Sequence, residues 1–363
     1  MLASEHCQGV FPDGGKDCLT QHAPCEVFTK EPDMPRIVRF HQTGGPEVLK
    51  IAEEPLVQPK EGEVRLRVQA LGLNRAEAMF RSGAYLETAQ LPSRLGYEAA
   101  GVVDAIGTGV SNVKVGDRVS TIPSFGLSAH GVYGESAVVP AFAVASYPEN
   151  FTPEQGSAFW MPYITAWVGL VERAQLGKGQ VVLITAASSS VGLAAIQVAK
   201  ATGAIAIAAT RKPEKKAKLL QTGAAHVVVT EQEDLPKRVM EISGGKGANV
   251  IFDPISGPNV EKLAEAAATG ATMLIYGALD MRPTPYPLFP ALQKGLWIHA
   301  FVLFECTTQP ALRERAKRFV YEGIQSGAFK PIIDPKVFTL DQIVDAHRYM
   351  ESNQQFGKVV VRV

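Results

Sequence analysis

The chain has 363 residues, enough for two domains with separate cores, and its 46% hydrophobic and 20% charged content is that of an ordinary globular protein. Lys+Arg and Asp+Glu both number 36, so the formal net charge is zero, which argues against a nucleic-acid or anionic-membrane partner; no apolar run reaches the length of a membrane span. Of only 4 cysteines, Cys7, Cys18 and Cys25 fall in the first 33 residues, leaving the body nearly thiol-free, as expected of a reducing, cytoplasmic compartment.

Residues 1–33 have no periodicity, no apolar signal-peptide region and no small-residue cleavage site, and read as a disordered tail with Met34 as the effective beginning. His6 and His22 stand near the three cysteines, but the spacings are not those of a zinc module. From Pro35 to Pro148 the signals are strands: 36–40, 63–71, a strand–turn–strand over 99–122, and two short strands over 135–148 broken by Pro140. Their close spacing and Gly/Pro punctuation predict a compact barrel. Residues 152–176 have a helical period, with Thr152, Pro153 and Gln155 as its start signal. Strands and helices then alternate: strand 180–187, helix 191–203, strand 204–210, helix 213–223, strand 225–230, helix 234–244, strand 249–255, helix 259–270, strand 272–279 and a sixth strand at 297–304. The strands are continuously apolar, which predicts a doubly wound parallel sheet covered on both faces, and an α/β fold class. Two helical patterns, 311–327 and 340–352, and a strand at 357–363 complete the chain.

The junction AASSSVGLAAIQ (186–197) joins the first of these strands to its helix, where a dinucleotide pyrophosphate meets free N–H groups and a positive helix end. Of the three glycines of the usual fingerprint, Gly192 alone stands, suited to close helix–strand packing. Ser188, Ser189 and Ser190 can donate to phosphate oxygens, or simply cap a core helix. At the tip of the next strand no acid is present to bond a ribose 2′-hydroxyl. Thr210, Arg211 and Lys215 stand there instead and read as an NADPH-selecting cluster, a carboxylate being repelled by the 2′-phosphate that an arginine fork matches; the alternative is a solvated, basic helix start.

Together these segments resemble the medium-chain dehydrogenase/reductase superfamily, and within it the zinc-free quinone oxidoreductase, or ζ-crystallin-like, branch. The resemblance runs from residue 34 to 363. It rests on 68–85 (VQALGLNRAEAMFRSGAY), on 95–119 (the superfamily's GHE–GDRV block), on MPYITAW (161–167), on the phosphate loop 184–204, on FDPISGP (252–258) and on GKVVV (357–361). It implies a GroES-like β-barrel catalytic domain from 34–157 and 301–363, a Rossmann NADPH-binding domain at 158–300, and an active site in the cleft between them. By the same resemblance Thr165, Val191, Gly277, Ala278 and Leu279 line the cofactor, Phe301 and Val302 present backbone groups to the carboxamide, and Lys358 approaches the adenosine phosphate. A homodimer is expected by analogy, through 274–279 and 297–304.

The zinc-dependent members need Cys, His and a second Cys or Asp as ligands; here Asn74 and Tyr97 occupy the first two positions, and the structural-cysteine loop has no cysteine, so no metal is expected. Without a Lewis acid the acceptor must already be electrophilic: a quinone or an α,β-unsaturated carbonyl. Candidate catalytic helpers are Asn74 as an amide donor, Tyr85 and Tyr97 as hydroxyl donors and Arg81 as a positive neighbour, although Asn74 could instead satisfy backbone groups and Arg81 could pair with Glu77 one turn away. The family's second tyrosine in this segment is Met79 here. Two other readings stand beside the quinone reductase: an alcohol dehydrogenase or enoyl reductase of a biosynthetic pathway, and a nucleotide-binding structural or RNA-binding protein, the last opposed by the neutral charge.

Overall fold

In the computed structural model, which describes residues 34–363, the apolar runs become strands in the order their patterns predict. The expectations for residues 1–33, including the histidine and cysteine cluster, lie outside the described residues. The first lobe supplies β1 (Arg36–Arg39), β2 (Lys50–Glu53), β3 (Glu63–Gly72), β4 (Glu98–Ile106), β5 (Arg118–Thr121), β6 (Ser136–Pro140) and β7 (Val144–Ser146). The chain then lays down β8 (Val181–Ile184), β9 (Ile205–Thr210), β10 (His226–Val229), β11 (Ala248–Asp253), β12 (Ala267–Ile275) and β13 (Trp297–Ala300), and returns with β14 (Phe338–Thr339) and β15 (Val360–Arg362).

One sheet has the order β14-β15-β3-β4-β5-β7, with β6 also paired to β3. The last strand thus closes antiparallel onto β3, Val360 opposite Gly72. The other sheet has the order β10-β9-β8-β11-β12-β13, every pair parallel. Alternation decides its two faces. Val182 and Ile184 of β8 enter one buried cluster, while Val181 and Leu183 enter the other, so both faces are covered and each fully buried side chain contributes about 2 kcal/mol. Strand order reverses between β8 and β11, and the ends of these strands open the crevice where such sheets bind ligands.

The structure departs from the sequence reading in three places that shape this crevice. The helix expected over 152–176 is broken into Pro153–Gly156, Trp160–Ala166 and a π-type segment Trp167–Arg173. One continuous helix would bury Pro162 in its interior; restarting at Trp160 moves it into the first turn, where its missing N–H costs nothing. The free N–H of Met161 in that turn donates instead to Glu98 Oε1 at 2.8 Å. The helix expected over 259–270 stops at Ala266 because the small residues after it extend β12, and residues 276–279 leave that strand to form the crevice wall. Between β12 and β13, where the sequence pattern assigns no element, a helix forms at Leu288–Lys294, closed by Gly295 in the left-handed region (φ 61°).

Candidate active site

The turn after β8 has the shape of a phosphate cradle, built without the usual glycines. Ala186 adopts φ 44°, a left-handed conformation that costs a residue with a Cβ roughly 1 kcal/mol and that a glycine would take freely. Ser189 caps the helix Ser190–Ala201, its Oγ accepting from Gly192 N at 3.1 Å. A Cβ on Gly192 would lie 2.7 Å from Ala187 Cα and from its carbonyl oxygen, so the helix sits against the turn only because this residue is glycine. Ser188 Oγ accepts from Lys215 Nζ at 3.1 Å, while Ser189, Ser190 and Val191 line the open cleft.

Thr210 is buried at the end of β9, its carbonyl accepting from Thr230 N at 2.8 Å, and the exposed Arg211 follows it out of the sheet. Lys215 turns back toward the phosphate loop. Besides Ser188, its ammonium reaches the carbonyls of Asn353 at 3.0 Å and Gln355 at 2.7 Å. Burial, followed by the neighbouring Arg211, lowers its pKa from the usual lysine value.

One cleft of about 610 Å³ runs from this loop to the first lobe. Of the expected residues, Asn74, Tyr85, Thr165, Ser189, Ser190 and Val191 line it. So do Gly277, Ala278, Leu279, Phe301 and Val302. The loop 277–279 is held by Leu279 N donating to Pro254 O at 3.0 Å and Ser256 Oγ donating to Gly277 O at 2.7 Å. The expected backbone donors at 301 and 302 are engaged: Phe301 N donates to Ile275 O at 3.0 Å, and Val302 N to Glu305 Oε1 at 3.4 Å.

Three expectations are corrected here. Arg81 does not face the cleft, nor does it pair with Glu77. Its side chain is buried and directed away, with Nε on Gly44 O at 3.1 Å, Nη1 beside His347 Nδ1 at 3.1 Å and Nη2 on Glu351 Oε1 at 2.8 Å. Lys358 does not reach outward to an adenosine phosphate. Its chain runs inward past Gly72, where a Cβ would meet Lys358 Cε at 2.7 Å, and its fully buried ammonium pairs with Glu98 and donates to Asn74 Oδ1 at 2.6 Å. Asn74, in turn, has no amide donor left for a ligand. Its Nδ2 contacts Gly72 O at 3.2 Å, Glu77 Oε1 at 3.1 Å and Glu98 Oε2 at 3.2 Å.

These side chains form one buried network whose central acid, Glu77, the sequence reading missed. Glu77 accepts from Asn74 N at 2.6 Å, Tyr97 N at 2.9 Å and Tyr133 OH at 2.5 Å, besides Asn74 Nδ2. The first of these is one arm of a capping box at the start of the helix Arg75–Ser82, and the spacing Asn74-x-x-Glu77 is the signal that could have found it. Burial raises the Glu77 carboxyl above its usual range, and its donors pull it back.

Tyr85 is the first-lobe phenol that lines the cleft, with Tyr276 on the nucleotide side, and Tyr97 stands in the first-lobe core, packed on Phe125 and Phe304. Burial raises both hydroxyls above the usual phenol value; Tyr97 stabilises the ionised form of Tyr85, and Tyr85 opposes that of Tyr97. Both are therefore protonated donors at neutral pH. Around Tyr85 the wall is apolar, with Leu73, Ala76, Met79, Leu86 and Met281.

A barrel-type lobe with a cleft at the switch point of a doubly wound sheet defines a two-domain dehydrogenase. Residues 60–149 match the family described as alcohol dehydrogenase GroES-like domain, and residues 190–318 the one described as zinc-binding dehydrogenase. The chain is 31% identical over 332 residues to human quinone oxidoreductase, covering 90% of this chain and 97% of that protein. It is 32% identical over 323 residues to quinone oxidoreductase 1 of Escherichia coli K12, covering 88% and 97%. The solved Escherichia coli quinone oxidoreductase complexed with NADPH superposes with a TM-score of 0.84 at 30% identity, over 90% of this chain and 100% of that one. The chain belongs to the medium-chain dehydrogenase/reductase superfamily, in its quinone oxidoreductase branch.

The zinc in the second family description does not fit the residues present. The ligand positions hold the Asn74 amide and the Tyr97 phenol, and the adjacent carboxylate, Glu98, is paired with the Lys358 ammonium, which would repel a dication. Among the described residues no group of three or more His, Cys, Asp or Glu side chains converges to hold a metal.

Proposed function

We propose that this protein is an NADPH-dependent, zinc-independent reductase of quinones or α,β-unsaturated carbonyls. The observation that carries this reading is the Lys358–Glu98–Asn74 network, which fills the place of a Lewis acid and leaves the acceptor to be electrophilic on its own account. The residues fit NADPH. Ser188, Ser189, Ser190 and Gly192 would hold the pyrophosphate; Thr210, Arg211 and Lys215 the 2′-phosphate; Thr165, Gly277, Ala278, Leu279, Phe301 and Val302 the nicotinamide end. The solved relative complexed with NADPH supports NADPH as the cofactor. When bound, NADPH supplies a hydride from C4 of its nicotinamide.

The remaining work belongs to the first lobe. Its apolar wall excludes water from the acceptor. Tyr85 donates a hydrogen bond to the acceptor oxygen and then its proton as negative charge develops there. The Glu77 and Lys358 network fixes the backbone at Asn74 and Tyr97 and touches no substrate. We assign residues 34–157 and 301–363 to the catalytic domain and 158–300 to the nucleotide domain. Among the described residues no helix is long and apolar enough to cross a membrane, and a cytoplasmic enzyme accords with that. We also propose a homodimer across β13, an edge strand beside exposed Phe289, Leu292 and Trp297.

The test is a nucleotide oxidation screen, NADPH against NADH, over quinones, enones and simple aldehydes, with zinc measured on the same sample. We expect NADPH-linked turnover of quinones or enones, little with aldehydes, and substoichiometric zinc. Tyr85→Phe should lower kcat/KM about 10²-fold, the size of a lost positioned proton donor. Aldehyde reduction that follows zinc content would support the alcohol dehydrogenase reading and defeat this one.

A further inference from the structure

The NADPH assignment gives no role to Arg75, among the described residues the one cation that lines the cleft. Arg75 opens the helix Arg75–Ser82 of the first lobe, lines the cleft and is half-buried. Its guanidinium donates to the side-chain oxygen of Asn353 and, at 3.2 Å, to the carbonyl of Glu351. Asn353, with φ 60°, also accepts from Lys215 through its own carbonyl. Two cations, one from each lobe, therefore hold the same residue, Arg75 at its side chain and Lys215 at its carbonyl, and the Lys215 ammonium continues to Ser188 of the phosphate loop. Burial draws the Arg75 guanidinium below its usual pKa, Glu351 opposes this, and the charge of Arg211 adds to the lowering, which places the two arginines within electrostatic reach.

Two carboxylates nearby, Glu351 and Asp334, are committed elsewhere. Glu351 is paired with Arg81. Asp334 accepts from Tyr349 OH at 3.1 Å, Lys336 N at 2.9 Å and Phe356 N at 2.8 Å. In the same wall the side-chain oxygen of Gln355 is buried without a hydrogen-bond partner. Three cations within electrostatic reach of one another, two of them held on Asn353, describe a site completed by an anion, while the unpartnered Gln355 oxygen is left to accept from a hydroxyl.

We propose that Arg75 is a third cation of the 2′-phosphate site, closing on NADPH from the catalytic lobe opposite Arg211 and Lys215. This rests on the NADPH reading above and adds to it that cofactor selection is shared between the lobes. Arg75 would exchange its bond to the Asn353 side chain for a phosphate oxygen, with Gln355 turned toward the adenosine ribose.

Titration calorimetry with 2′,5′-ADP and 5′-AMP separates the 2′-phosphate from the rest of the nucleotide. For Arg75→Met we expect the Kd of 2′,5′-ADP to rise about tenfold or more, that of 5′-AMP to change less than twofold, and Arg75→Lys to recover part of the loss. Equal weakening of both ligands would mean that Arg75 only supports the 351–355 loop, and no weakening of either would also overturn the proposal. Arg211→Met is measured beside it. Discrimination lost in Arg211→Met alone leaves the NADPH site standing and removes Arg75 from it; discrimination lost in neither overturns both. Should Arg75→Met fail to give a cooperative melt, Arg75→Gln and Arg75→Lys carry the same comparison.

Discussion

The two walls of the cleft are made in different ways. The nucleotide wall is a local construction. β8, its turn and the following helix deliver Ser188 to Gly192 within a dozen residues. The acceptor wall is assembled from segments far apart in the chain. Asn74 and Lys358 meet across 284 residues, and Lys358 and Glu98 across 260. A local wall tolerates side-chain exchange as long as the turn geometry holds, which is how a turn with Gly192 alone can stand where three glycines are usual. A wall held by a buried ionic network tolerates little, because each member satisfies another.

This contrast is sharpest under mutation. Lys358→Met should be the most damaging single change, about 3–5 kcal/mol in chemical unfolding, because it leaves Glu98 buried and uncompensated. The double variant Lys358→Met with Glu98→Gln should recover most of that loss; a double variant as unstable as the single one would mean that packing, not charge, holds the wall. On the nucleotide wall, Arg211→Asp should fold normally and raise KM for NADPH at least tenfold while that for NADH moves far less. A parallel rise for both cofactors would show that Arg211 supports the fold rather than selecting the cofactor.

An effect absent at neutral pH, and seen only on acidification, concerns the neutral His347 behind the acceptor wall. Burial, then Arg81, lowers its pKa to about 3. The unfolded chain takes up this proton near pH 6.5 and the folded chain does not until about 3, so its contribution is present above about pH 6.5 and falls away on acidification through that window. The slope is at most about 1.4 kcal/mol per pH unit. His347→Asn should flatten the dependence of Tm on pH between 6.5 and 4, and an unchanged slope would place the acid sensitivity in another group.

The same contrast explains what was legible in the sequence. Apolar runs of β8 to β13 and their intervening helices were readable because period and length suffice for a covered parallel sheet. The nucleotide wall followed from them, since its residues lie at strand ends. The broken helix at 152–176 was not readable, because its restart depends on Glu98, distant in sequence, receiving the N–H of Met161. Arg81 and Lys358 were misplaced for a related reason: a charged residue in a motif looks outward-facing until its buried partners are known. Arg75 escaped notice because its significance lies in the converging charges of another lobe.

The return of β15 to β3 also sets an order of events. During synthesis Asn74, Glu77 and Glu98 emerge long before the lysine that pairs with Glu98, and β3, which has β4 and β6 beside it early, waits for β15 until the nucleotide domain has been made. The nucleotide domain, whose contacts are nearer in sequence, can fold first, with the catalytic lobe completed around it afterwards. A ribosome-bound chain stopped before residue 358 would thus hold a formed nucleotide sheet beside an unfinished barrel, and the buried lysine would act as the final fastening of the fold.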